Sequence, residues 1–296
     1  MIKTPLRYPG GKSKHYKYIA PLIENIIGTK KPKNYIEPYV GGGSVFLNTA
    51  QKHNDMHFVI NDLHKELFFF WHYVCLFARS SLFENGEFIR ENLAIYNELH
   101  ELKSRYKDDY KELYNLVKKD STNDLMKRAR NFFILNRVTF SGTSNSGGFS
   151  KKAADGRFTD SSIERLVDCI RFCSFLDVTA FGYDGVSFMN VNNNLDTVAY
   201  IDPPYYTAKR LYGDNGDLHK QFDHDQLAHF LKYRARFDWV LSYDNCDYVR
   251  EKYKDFYIYP ISLQYGMDNY KRKTCKKGME LLITNVEMPE DYQPSI

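Results

Sequence analysis

Apolar positions along the chain fall into two rhythms. Short continuous runs rich in β-branched and aromatic residues read as buried strands: Thr197-Val198-Ala199-Tyr200-Ile201, the run ending at Glu37, His57 to Ile60, Leu176 to Phe181 and Trp239 to Ser242. Phe256 to Leu263 and Glu280 to Asn285 complete the set as a terminal pair. Between them lie stretches with helical spacing, over Tyr18 to Ile27, from near Ser44, over Ile163 to Cys173 and over Phe222 to Arg236. Strands alternating with helices predict an α/β fold with a Rossmann-like core, a seven-stranded mixed sheet ending in an antiparallel pair. From Leu67 to about Asn136 the rhythm is helical, with Phe88, Leu93, Tyr96, Leu99, Leu102 and Tyr106 recurring among Glu, Lys and Arg. That pattern predicts a mainly helical insertion over residues 65–160, which divides the core into 1–64 and 161–296.

Composition narrows the function classes. The 296 residues are 43% apolar, enough for one large core with an insertion. The most apolar stretch, Leu67 to Ala78, contains His72 and is too short to span a bilayer, so it reads as a buried helix and no membrane partner is expected. The start, Met-Ile-Lys-Thr-Pro-Leu-Arg, lacks the apolar centre of a signal peptide. Cys75, Cys169, Cys173, Cys246 and Cys275 form no C-x-x-C pair, and this odd, scattered set points to reduced thiols in a cytoplasmic setting. Cys169 and Cys173, one helical turn apart, suit core packing. The nine His show no ligand spacing, so no metal site is expected. A net charge of +4 admits a polyanionic partner without requiring one.

Candidate chemistry gathers at the predicted strand ends. In Tyr8-Pro9-Gly10-Gly11-Lys12 two glycines after a proline make a tight turn, and Lys12 with the free N–H groups there suits a carboxylate. After the strand ending at Glu37, Pro38-Tyr39-Val40-Gly41-Gly42-Gly43-Ser44 lets the backbone approach a ligand closely. Its spacing is not G-x-G-x-x-G, which argues against a dinucleotide pyrophosphate. Asp62 follows the glycines by about 20 residues, where a nucleotide-binding sheet places an acid that accepts from ribose hydroxyls. Asp202-Pro203-Pro204-Tyr205 follows the buried strand at 197–201. Proline fixes φ and holds the preceding residue extended, so this is a stiff segment with outward carbonyls. A carboxylate and a fixed carbonyl can together accept both hydrogens of an exocyclic amino group, while Tyr205 stacks on the ring that carries it.

Taken in order, Tyr8-Pro9-Gly10-Gly11-Lys12, Glu37-Pro38-Tyr39-Val40-Gly41-Gly42-Gly43-Ser44 and Asp202-Pro203-Pro204-Tyr205 resemble the three signature motifs of DNA adenine-N6 methyltransferases of the Dam type. Tyr8 stands where many members carry Trp, and Tyr39 where many carry Phe. The resemblance implies S-adenosylmethionine as cofactor, double-stranded DNA as substrate and N6 of a flipped adenine as target, with the insertion as target-recognition domain. It assigns Tyr8, Lys12, Glu37, Pro38, Tyr39, Gly41, Gly43, Ser44, Asp62 and Asp202 to the cofactor, and Asp202, Pro203, Pro204 and Tyr205 to catalysis. A companion restriction endonuclease is compatible with such an enzyme. RNA adenine-N6 or DNA cytosine-N4 transfer, a catalytically silent DNA-binding homologue and a nucleotide-dependent oxidoreductase remain as alternatives.

Basic residues supply the DNA contacts this resemblance calls for. Asn136-Arg137 opens a Gly-, Ser- and Thr-rich stretch to Lys151-Lys152 that reads as a hairpin or long loop and departs from the N-G-L-x-R pattern of GATC-specific members. Lys209 and Arg210 lie in a polar loop after the proline motif. Five cations in the seven residues Lys271 to Lys277, among them Arg272, Lys273 and Lys276, suit a phosphate backbone.

Overall fold

The computed structural model describes residues 1–77, 82–140, 147–207, 222–264, 277–289 and 292. Lys209, Arg210, Arg272, Lys273 and Lys276 lie outside these residues. The main sheet has seven strands. They are β1 (Asn34–Glu37), β2 (His57–Asn61), β5 (Asp177–Phe181), β6 (Thr197–Ile201), β7 (Asp238–Asp244), β8 (Tyr257–Gln264) and β9 (Lys277–Thr284). Their order is β5-β2-β1-β6-β7-β9-β8, all parallel except β9, which runs against both neighbours. The expected strands are thus all present, within a few residues of their expected limits. Strand order reverses between β1 and β6, the switch point where such sheets open a crevice.

Alternate strand side chains feed two cores, as a sheet buried on both faces requires. Tyr35, Phe58, Val198 and Val240 join one, with α1 (Tyr16–Lys30), α2 (Ser44–Ala50) and α3 (Lys65–Cys75). Ile36, Val59, Ala199 and Trp239 join the other, with α9 (Gly185–Val191), α10 (His224–Tyr233) and α11 (Asp247–Lys252).

The segment between β2 and β5 is mainly helical. It holds α4 (Ala94–Arg105), α5 (Tyr110–Lys119), α6 (Leu125–Val138), α7 (Lys151–Arg157) and α8 (Asp160–Cys173). Two expectations change here. A small hairpin, β3 (Phe83–Glu84) with β4 (Glu87–Phe88), interrupts the helical pattern. Asn85 and Gly86, both at positive φ, turn it, and the Asn-Gly pair was the signal. Arg137 sits in the last turn of α6 rather than in a loop, and Lys151 and Lys152 open α7. An antiparallel bridge joins Thr139 to Phe149. Buried Cys169 and Cys173 on α8 lie against the core, with Cys75 beside them. No helix among the described residues is long and apolar enough to cross a membrane.

Candidate active site

The loops leaving β1, β2, β5 and β6 converge with the N-terminal Tyr8–Lys12 turn on a cleft of about 820 Å³, part of it open to solvent. Its wall includes Tyr8, Gly10, Lys12, Glu37, Tyr39, Gly41, Ser44, Asp62, Asp184, Asp202, Pro204 and Phe222. Local backbone shape explains the glycines. Gly43 has φ +67°, and a Cβ there would meet the Trp71 ring at 2.3 Å, while Trp71 Nε1 donates to the Gly41 carbonyl at 2.9 Å. The loop is therefore folded tightly over α3.

Asp202, one residue past β6, provides the central charge. Lys12 Nζ lies 2.7 Å from both of its carboxylate oxygens and donates to the Gly10 carbonyl at 3.1 Å. Burial raises the Asp202 pKa to about 6, against the lowering effect of Lys12, and nearby Glu280 pushes it in the same upward direction as burial. Lys12 also sits 4.9 Å from the centre of the Tyr205 ring. Tyr205 Oη donates to Glu280 Oε2 at 2.8 Å, and the backbone N–H groups of Tyr206 and Thr207 donate to the two oxygens of Asp244 at 2.9 and 2.8 Å. Asp244 and Glu280 face each other across the β7–β9 ladder, so one register position of the antiparallel pair grips the segment after the prolines.

At the other side of the switch point, Glu37 is buried and accepts from Tyr35 Oη at 2.5 Å. Burial drives its pKa well above the carboxylate range, with the Asp202 charge adding to the rise. Asp62 accepts from the N–H groups of Gly41 and His64, each at 3.0 Å, and burial again raises its pKa. Asn61 ties the strand ends together, donating to the Pro38 and Tyr183 carbonyls and accepting from Tyr183 N–H. The Tyr39 hydroxyl is buried against the cleft with no hydrogen-bond partner among the described residues.

Of the sequence-predicted set, Tyr8, Lys12, Glu37, Tyr39, Gly41, Ser44, Asp62, Asp202 and Pro204 meet in this one wall. Pro38, Gly43, Pro203 and Tyr205 stand outside it, as supports of the same loops. Tyr183 is exposed and stacks on Phe181, whereas Asp184 reaches the cleft. Arg137 is buried, and Lys151 and Lys152 are exposed. Sequence reasoning missed Glu280, Asp244 and Asn61. Glu280 carried a readable signal, a single acid inside the apolar run Met279-Glu280-Leu281-Leu282-Ile283. Among the described residues no group of three or more His, Cys, Asp or Glu is placed to hold a metal ion.

Such a cleft has a carboxylate and a rigid proline segment at its head, beside a nearby tyrosine, and it suits an amino group on a planar ring. A sequence model of the family described as D12 class N6 adenine-specific DNA methyltransferase matches residues 8–267. The chain is similar to the type II methyltransferase M.MjaIII of Methanocaldococcus jannaschii, 24% identical over 305 aligned positions that cover 96% of this chain and 99% of that protein. It is also similar to a DNA adenine methylase of Vibrio cholerae, 24% identical over 209 positions, 68% of this chain and 64% of the relative.

Proposed function

The chain belongs to the D12 class N6 adenine-specific DNA methyltransferases, enzymes of adenine-N6 methylation in DNA, and from that premise we propose how its cleft performs the reaction. The methyl donor is S-adenosylmethionine, and the acceptor is an adenine turned out of the duplex, because its amino group is otherwise held in base pairing. One observation carries this reading: Asp202, gripped by Lys12, stands at the carboxyl end of β6 at the head of a cleft on the switch point.

The residues present fit the donor. Tyr39 offers a buried hydroxyl with no partner among the described residues, and Asp62 and Asp184 place acids at two strand ends where a nucleoside can be read. When bound, S-adenosylmethionine supplies an electrophilic methyl group on a sulfonium. Tyr8, Glu37, Pro38, Gly41, Gly43 and Ser44 shape and hold its site, while Asp62 accepts from ribose hydroxyls.

Asp202 and the Pro203 carbonyl accept the two hydrogens of the adenine amino group. That nitrogen is a poor nucleophile because its lone pair is delocalised into the ring. Accepting both N–H bonds favours a pyramidal nitrogen and stabilises the positive charge that grows on it during transfer. Lys12 keeps Asp202 ionised and oriented. Pro204 stiffens the segment, and Tyr205 stacks on the base with its hydroxyl anchored on Glu280. The catalytic contribution lies in alignment and electrostatics.

Residues 65–160 form the target-recognition insertion, with Arg137, Lys151 and Lys152 directed to the DNA backbone. The DNA substrate supports a cytoplasmic setting, as do Cys75, Cys169, Cys173 and Cys246, which are free thiols among the described residues. Labelled methyl transfer to duplex DNA, single-stranded DNA and RNA, followed by nucleoside analysis, tests the reading. N6-methyladenine from duplex DNA at one short sequence is expected. Label on cytosine, on RNA alone, or nowhere despite bound cofactor overturns it.

A further inference from the structure

Helix α6 carries three arginines in contrasting surroundings. Arg128 pairs with Glu66 and lies 3.6 Å from the centre of the Phe69 ring. Arg130 pairs with Glu98 and lies 3.7 Å from Asp120. Arg137 is only 6% exposed, yet it forms no ion pair among the described residues, and its Nε is buried without a hydrogen-bond partner. Its one close neighbour of note is an aromatic face, the Phe133 ring at 5.0 Å.

Among the described residues, the charges that shift Arg137 are cationic. Burial first, and then Arg165, Arg157 and Arg7, push its guanidinium down to about 9, so it remains charged at neutral pH. Burial and Arg7 likewise lower Arg157, which donates to the Thr139 carbonyl at 3.3 Å. No ion pair engages Arg7, Arg157 or Arg165 among the described residues, and the sequence from Thr139 to Ala154 contains no Asp or Glu. Arg7 comes from the N-terminal turn: its N–H and carbonyl are clasped by the Asn136 side chain at 2.9 and 2.8 Å. The cluster thus joins the loop ahead of Tyr8 to the end of α6.

Burying a guanidinium without a counter-charge, among like charges, is strongly unfavourable. An oxyanion placed between them relieves both penalties, and the planar guanidinium fork matches phosphate oxygens. We propose that Arg137, Arg157 and Arg7 form a receptor for a single phosphate group, supplied by the backbone of the DNA substrate. The source of the phosphate rests on the DNA reading above. The receptor rests only on the arginines. Because Arg7 precedes Tyr8 and Arg157 belongs to α7, a phosphate seated there fixes the insertion against the cofactor turn as DNA docks.

Two measurements test this, neither of which needs methyl transfer. Thermal melting of the full chain in inorganic phosphate, against chloride at matched ionic strength, is expected to show a rise of a few degrees with phosphate. Arg137→Met should abolish the response; Arg157→Ala, at a less buried position, should weaken it and serves if the first variant does not fold. Binding to mixed-sequence duplex DNA across salt is then compared for wild type and Arg157→Ala. The log–log slope should fall by about 0.9, one phosphate contact. No phosphate-specific stabilisation together with an unchanged slope overturns the receptor. Stabilisation by free phosphate with an unchanged slope overturns the DNA source.

Discussion

Two charged regions of this molecule meet the cost of burying charge in opposite ways. At the head of the cleft and just behind it the acids have protein partners: Asp202 has Lys12, Glu280 has the Tyr205 hydroxyl, and Asp244 has two backbone N–H groups. At the end of α6, Arg137 has like charges for neighbours and no counter-ion among the described residues. The first region is organised before any ligand arrives, which is what electrostatic catalysis needs. The second gains its balance only from something that binds. Catalytic geometry and substrate docking are therefore separable here, and variants should separate them.

The largest effect expected is at Asp202. Asp202→Ala should lower methyl transfer by about 10³-fold or more, with folding retained by circular dichroism, because an acceptor of the amino hydrogens is lost. Activity within tenfold of wild type would remove Asp202 from the chemistry. Glu280 comes next as a positioning residue. Glu280→Ala should cost on the order of 10²-fold in kcat by freeing the Tyr205 ring, with little change in KM for the cofactor. Glu280→Gln should recover part of the loss, since its amide oxygen still accepts from the phenol. Equal losses in both variants, or a loss confined to KM, would point away from positioning. Tyr39→Phe should be the mildest. If the donor satisfies the orphaned hydroxyl, its removal weakens cofactor binding by about 1 kcal/mol, near fivefold, while calorimetry on the free protein shows stability unchanged or slightly raised.

Much of the cleft was legible because its parts are local. Continuous apolar runs fix where β1, β2 and β6 end, and the glycine and proline signals just beyond them fix the shape of the loops there. Asp202, Glu37 and Asp62 could therefore be placed at one sheet edge from sequence. Glu280 could not, although an acid in a buried strand asks for a partner. Its partner Tyr205 lies 75 positions away and is chosen by the antiparallel register of β9 with β7. Arg137 was misplaced for a related reason. Polar residues after it suggested a loop, but α6 continues through Val138, and only tertiary packing, with α6 set against α3, α5 and α7, buries the side chain.

The claim that Lys12 tunes a carboxylate acceptor is tested most directly by the pH dependence of kcat/KM, measured for wild type and Lys12→Met. The folded-state pKa of Asp202 lies above its ordinary value of 3.8, at about 6, and only the ionised form accepts the amino hydrogens. Activity should therefore be full above that value and fall as pH drops through about 6. Removing the lysine charge takes away the interaction that opposes burial, so the acid limb in Lys12→Met should move to higher pH. An acid limb that stays in place in the variant, or lies near 4 in wild type, would contradict the tuning of Asp202 by Lys12.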